Sequence, residues 1–404
     1  MSTLHLAVAL DGAGWHPAAW REPSAAPRAL FSARYWAGLV AEAERGLLDF
    51  VTIEDAFGLQ STLPDTPDDR TDQVRGRLDA VLLAARLAPL THHIGLVPTA
   101  TTTHTEPFHV AIGIAALDHV SGGRAGWRPQ VSARSFEARH FGRREFPPLD
   151  QVLNRPGGVD LSGDPHVRDL FAEAGDAVRV ARLLWDSWED DAEIRDVPTG
   201  RFIDRDKLHH IDFEGRFFSV RGPSITPRSP QGQPVVAALA HSRLPYEFAA
   251  AHADVVFVTP HSAEQARAIV TEVSELSPDV QIFADLVVFL GDDAAARKAR
   301  LDELDGAELA SDAAVFTGHV RDLAGLLLEW RRAGIQGFRL RPGAVPYDLW
   351  QIASGLTAEL RGRQAFRSRY EARTLRELLG LPRPASRYTG HHAGHHTGHR
   401  AGAR

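Results

Sequence analysis

Apolar residues along this chain come in two spacings. Short, nearly continuous apolar runs at 4–10, 48–53, 94–98, 124–127, 235–239, 254–258, 280–290 and 335–340 read as strands buried on both faces, as the strands of a parallel sheet are. Between them, apolar side chains recur every three to four residues. Tyr35, Leu39, Val40 and Ala43 mark a helix over 31–46 that Gly46 ends, and the same period predicts helices over 78–90, 106–120, 168–188, 245–252, 263–276, 321–333 and 347–360. Eight strands alternating with helices is the pattern of an α/β fold closed as a (β/α)8 TIM barrel. An open doubly wound sheet shows the same alternation, but its dinucleotide form needs a Gly-rich turn opening directly into a helix. Here Asp11-Gly12-Ala13-Gly14 runs into Trp15-His16-Pro17 instead, which favours the barrel.

Two segments fall outside the alternation, about 135–165 and 189–234. They are expected as insertions after strands 4 and 5 that wall a pocket at the carboxyl ends of the strands. The second holds a hairpin pattern over 211–220, turning at Glu214-Gly215. One domain is expected over 1–388, followed by a His- and Gly-rich tail, 389–404, whose low complexity predicts disorder.

Composition narrows the function classes. The 404 residues carry a formal charge of −7, which argues against a nucleic-acid partner. The absence of cysteine excludes disulfides, thiolate metal ligands and cysteine nucleophiles. No apolar run reaches the roughly 18 residues of a membrane span, and no basic-then-apolar leader opens the chain, so a cytoplasmic protein without a membrane partner is expected. The zinc-protease, P-loop and serine-hydrolase motifs are missing. Lys207 and Lys298 are the only lysines and neither follows a predicted strand, which argues against Schiff-base chemistry. No metal site is expected.

In a barrel the chemistry sits just after the strands. Those positions hold Asp55 after strand two, Thr101, Thr102, Thr103 and His104 after strand three, Arg128, Gln130 and Ser132 after strand four, His241, Ser242 and Arg243 after strand five, and Arg341 after strand eight. Hydroxyls, arginines and a carboxylate suit a phosphorylated, hydrogen-bonding ligand.

Four stretches add a resemblance. In chain order they are LDHVSGGRAGW from Leu117, LWDSWEDD from Leu184, RGP from Arg221 with PRSPQG from Pro227, and RTLRELLGLPRP from Arg373. Together they resemble the bacterial luciferase-like flavin-dependent monooxygenases, and within them the nitrilotriacetate and dibenzothiophene-sulfone monooxygenase subgroup. The resemblance implies a barrel that takes reduced FMN (FMNH2) from a separate NAD(P)H:flavin reductase, reacts it with O2 to a C4a-hydroperoxide, and inserts one oxygen atom into a small organic substrate. It also implies a homodimer. Residue by residue, Asp55 matches the family's aspartate after strand two, Thr102 and Thr103 fall in its hydroxyl-rich turn beside the flavin, and Ser242 matches a serine that contacts the FMN phosphate. Arg128 stands where the subgroup has asparagine and is a candidate fork for the phosphate or the flavin carbonyls. His104 is the candidate for proton traffic. Two other readings stay open at this point: a barrel with a degenerate flavin site acting as a binding or interaction subunit, and an oxidoreductase using F420.

Overall fold

The computed structural model describes residues 3–63, 65–148 and 163–389. Eight parallel strands close on themselves: β1 (His5–Leu10), β2 (Phe50–Ile53), β3 (Gly95–Thr101), β4 (Gly126–Gln130), β9 (Val235–Leu239), β10 (Val255–Val258), β11 (Gln281–Leu290) and β13 (Gly337–Pro342), with β13 returning to β1. All eight predicted strands are found. β3, β4 and β13 run two or three residues further than their apolar runs, because their final inward positions are polar, so Arg128, Gln130 and Arg341 lie within strands. Two short hairpins, β5 (Glu193–Asp196) with β6 (Arg201–Ile203) and β7 (Phe213–Glu214) with β8 (Ser219–Val220), belong to the second insertion. β12 (Ala314–Gly318) pairs only with the carboxyl half of β11 and extends the wall there.

Helices cover the outside: α1 (Ala33–Arg45), α2 (Ala80–Leu87), α3 (Pro107–Ser121), α4 (Ser135–Phe141), α5 (Pro165–Asp186), α6 (Arg243–His252), α7 (Ala263–Leu276), α8 (Ala294–Asp305) and α9 (Val320–Arg332). The last barrel helix is α10 (Tyr347–Trp350), a π-helical turn over Gln351–Leu356, and α11 (Thr357–Gly362). β12 and α8 escape the sequence pattern for physical reasons. Every residue of β12 is only half-buried, and α8 buries just Ala294, Arg297 and Leu301, so neither shows an apolar period. Both insertions lie between the fourth and fifth barrel strands, one before α5 and one after it. The second, expected after strand five, therefore precedes it. Positions 149–162 and the tail beyond Thr389 are outside the described residues.

The barrel interior is layered. At the amino-terminal end, Ala7, Phe50, Val97, Val235, Val255, Phe257 and Phe283 form an apolar floor. Its aromatic rings lie 5.9–6.3 Å apart. The short helix α12 (Leu375–Leu378) closes that end, inserting Leu375 and, just beyond it, Leu379 into the same cluster. Gly95 permits the approach, since a Cβ there would come within 2.6 Å of Leu375.

Candidate active site at the barrel mouth

Above the apolar floor the barrel is ionic. Inward strand positions bring Arg128, Asp285 and the alternating pair Arg339 and Arg341 together, and Glu54, just past the end of β2, joins them. Glu54 pairs with Arg128 and, at 3.1 Å, with Arg339. Arg339 Nε donates to Asp285 at 2.8 Å, Arg341 Nε to the same carboxylate at 2.9 Å, and Arg341 Nη1 to Asp312 at 2.6 Å. Three guanidiniums thus meet three carboxylates. Burial alone would raise the Glu54 carboxyl, but Arg128, Arg339 and Arg341 overcome it and hold the group below its usual range. Arg128 Nε also donates to Thr99 Oγ1 at 2.9 Å and Nη2 to Gln130 Oε1 at 3.0 Å, so its fork is fixed on several sides.

Two cavities open onto this layer. The larger, about 540 Å3, includes Glu54, Asp55, Arg77 and Arg134 in its lining, and the smaller, about 300 Å3, includes Arg128, His241 and Ser242. They share Gln130, Val131, Val167 and Phe171 as a common wall, so together they make one mouth. The smaller one reaches the start of α6. Ser242 is its exposed N-cap residue, yet makes no side-chain capping bond. Arg243 and Leu244 follow, whose amides have no intrahelical partner in a first turn, and then Pro245, which has no N–H. Among the described residues the Ser242 hydroxyl makes no hydrogen bond, and an uncapped helix start beside it could hold an anion.

The other predicted residues occupy different roles. Asp55 lines the larger cavity, and its carboxylate accepts from the amides of Ala56 at 2.8 Å and Ala80 at 2.9 Å, thereby anchoring the start of α2. Burial raises its pKa. Thr102 and Thr103 staple the ends of β3 and β4: Thr102 Oγ1 donates to the Gln130 carbonyl at 3.1 Å, and Thr103 Oγ1 accepts from the Ser132 amide at the same length. His104 adopts a left-handed backbone (φ 71°). Its ring stacks on Phe141 at 5.0 Å and Phe146 at 4.9 Å, with a buried Nε2 that has no hydrogen-bond partner among the described residues. Burial, with Arg144 and Arg143 nearby, pulls its pKa down to about 4. It lines neither mouth cavity.

Sequence reasoning passed over Glu54, Asp285 and Arg339 as site residues. A signal was present, because a lone charge, Asp285, inside an otherwise apolar run from Ile282 to Leu290, and Arg339 and Arg341 at alternate positions, point to a polar lumen. The motif residues sit elsewhere. Asp186 meets Arg228 Nη2 at 3.1 Å, Arg228 Nη1 meets Asp190 at 2.9 Å, and Arg376 meets Asp254 at 3.1 Å, all at the amino-terminal end of the barrel. Asp118 there accepts from the amides of Ala125 at 3.0 Å and Gln231 at 3.2 Å, a buried pin between segments.

A closed parallel barrel with a polar mouth at the carboxyl ends of its strands defines a TIM-barrel enzyme scaffold. The chain matches the family model of luciferase-like monooxygenases over residues 13–338 and belongs to that family of flavin-dependent enzymes. It is 29% identical to N-acetyl-S-(2-succino)cysteine monooxygenase of Bacillus subtilis, over 95% of this chain and 98% of the relative. It is likewise 29% identical to nitrilotriacetate monooxygenase component A of Aminobacter aminovorans, over 94% and 97%. Both alignments run over 459 residues, more than the 404 of this chain, so these relatives carry segments it lacks. Among solved structures, riboflavin lyase with modified FMN and riboflavin superposes with a TM-score of 0.79 at 25% identity, covering 96% of this chain and 98% of that one. Among the described residues no helix is long and apolar enough to cross a membrane, and no cluster of ligands suits a metal.

Proposed function

We propose that this chain is the oxygenating component of a two-component system, receiving FMNH2 from a separate NAD(P)H:flavin reductase and using O2 to insert one oxygen atom into a small organic substrate. The observation that carries the reading is the continuous mouth, with an uncapped helix start at one side and a fixed guanidinium between. The residues fit FMN. Ser242 and the first amides of α6 would hold the phosphate, and Arg128, locked by Glu54, Thr99 and Gln130, would present its remaining Nη1 donors to acceptor oxygens of the cofactor. The two cavities fall within the ~300–1,000 Å3 typical of pockets for small molecules.

Reduced flavin, when bound, supplies the electrons that activate O2, by the route the resemblance implies. The protein's tasks are position and dryness. Val131, Val167 and Phe171 between the cavities supply an apolar wall against water. Thr102 and Thr103 hold the two strand ends in register under it. His104 has a neutral ring with an unspent Nε2, half of what a proton carrier needs, but it lies outside both linings and we assign it no step. For the homodimer, support comes from Leu82 and Val120, exposed on the adjoining helices α2 and α3.

Anaerobic titration with FMNH2 tests the reading. Saturable binding in the micromolar range or tighter is expected, with oxidised FMN bound more weakly. Absence of saturation at high flavin concentration would leave only a binding subunit.

A further inference from the structure

Hydrogen-bond accounting around the larger mouth cavity leaves an imbalance. Its carboxylates are largely spent: Glu54 on Arg128 and Arg339, Asp55 on two backbone amides, and Glu137 on the Ser132 hydroxyl at 2.6 Å. Asp11 is the exception and among the described residues its carboxylate meets only Arg77, at 3.3 Å. The guanidiniums of Arg77 and Arg134 are not spent. Arg77 reaches Asp11 at 3.3 Å and the Gly58 carbonyl at 3.4 Å, and its Nε is buried with no partner among the described residues. Among the described residues the Arg134 side chain makes one hydrogen bond, to Glu137 at 3.4 Å. Each guanidinium carries five N–H donors, and bonds this long are weak. The weakly engaged terminal nitrogens of Arg77 and Arg134 thus line this cavity while most of its carboxylates are engaged, a lining that asks for an acceptor-rich, negatively charged ligand. An ammonium would find few free oxygens.

Both arginines come from loops, Arg77 from the segment leading into α2 and Arg134 from that between β4 and α4. We propose that they bind the carboxylate of a small organic substrate, the planar fork matching the planar anion. Trp15, Leu170 and Phe171 in the same lining would receive its apolar body. This rests on the oxygen-transfer reading, whose substrate it specifies. A second source of the same acceptor chemistry is the flavin's own carbonyls, and the experiment separates the two.

Calorimetric titration of the full chain, with and without FMN, uses succinate and phenylacetate as probes and their methyl esters as neutral counterparts. At least one acid should bind while its ester does not. Arg77→Met and Arg134→Met should each weaken the acid about tenfold or more, Arg77→Lys less, with FMN affinity unchanged. Should Arg77→Met fail to fold, Arg77→Lys and Arg134→Met carry the test. Equal binding of acid and ester, unchanged affinity in the variants, or no acid binding up to roughly 10 mM overturns the proposal. Loss of FMN binding with acid binding intact in the variants assigns the guanidiniums to the flavin and also overturns it. A wild-type chain that binds the acids but never FMN sinks the oxygen-transfer reading and leaves the carboxylate site standing.

Discussion

Replacing Glu54 by glutamine probes the ionic layer on which the mouth stands. The substitution keeps shape and one carbonyl acceptor but removes a negative charge that faces Arg128 and Arg339, whose side chains are only 5% and 1% exposed. Three guanidiniums would then face two carboxylates. Breaking a buried pair by neutralising one partner costs ~3–5 kcal/mol, and the retained acceptor places the expected loss at about 2–4 kcal/mol. With an unfolding entropy of ~2.1 cal/mol/K per residue, a chain of this length should lose about 2–5 °C in Tm. The acid limb should change too. Glu54 titrates below its unfolded value, so the stability it contributes is present above about pH 4.3 and is lost as pH falls through its depressed folded pKa. Glu54→Gln should therefore flatten the decline below about pH 4. Urea unfolding followed by circular dichroism across pH, beside calorimetry, measures both effects. Adding Arg128→Met should restore part of the loss, because the unpaired cation goes with it. A Glu54→Gln chain within about 1 kcal/mol of wild type, with the same acid limb, would refute the electrostatic account of the lumen.

Further outcomes follow from the same geometry. Ser242→Ala should weaken FMN by roughly 1–3 kcal/mol through loss of a charge-assisted bond, with unfolding unchanged; an equal dissociation constant would place the phosphate elsewhere. Arg228→Met, which leaves the buried Asp186 without one of its partners, should destabilise the chain by about 3 kcal/mol yet leave the FMN dissociation constant within twofold, measured by flavin fluorescence. His104, with a folded pKa of about 4 against ~6.5 unfolded, contributes stability that is full above pH 6.5 and lost as pH falls towards 4. His104→Phe should make that decline shallower in a pH series of melting curves.

What could be read from the sequence divides along the barrel axis. The eight apolar runs gave all eight barrel strands because strands buried on both faces leave no room for polar interruption. The four stretches that carry the resemblance pin the amino-terminal end: Asp118, Asp186, Arg228 and Arg376 hold segments together there, at the opposite end from the mouth. That is why they were recognisable as a pattern and silent about the substrate. At the mouth the outcome was mixed. Arg128, Asp55 and Ser242, chosen for their position at strand ends, line the two adjoining cavities. That position could not show that the Thr102 hydroxyl is spent on a strand end or that the His104 ring turns into Phe141 and Phe146, since both depend on contacts with segments 28 to 42 residues away. The lumen's charges were visible as residues but not as a network, because pairing of Glu54 with Arg339 spans 285 positions of chain.

The central claim is that this mouth binds reduced FMN and shields its reaction with oxygen. Rapid mixing of the FMNH2-loaded chain with O2 tests it most directly, followed by the return of oxidised-flavin absorbance. The account predicts a return much slower than that of free reduced FMN under the same conditions, and faster again in Ser242→Ala as flavin escapes. A return at the free-flavin rate with saturating protein, or tight binding of reduced F420 beside negligible binding of FMNH2, would contradict it.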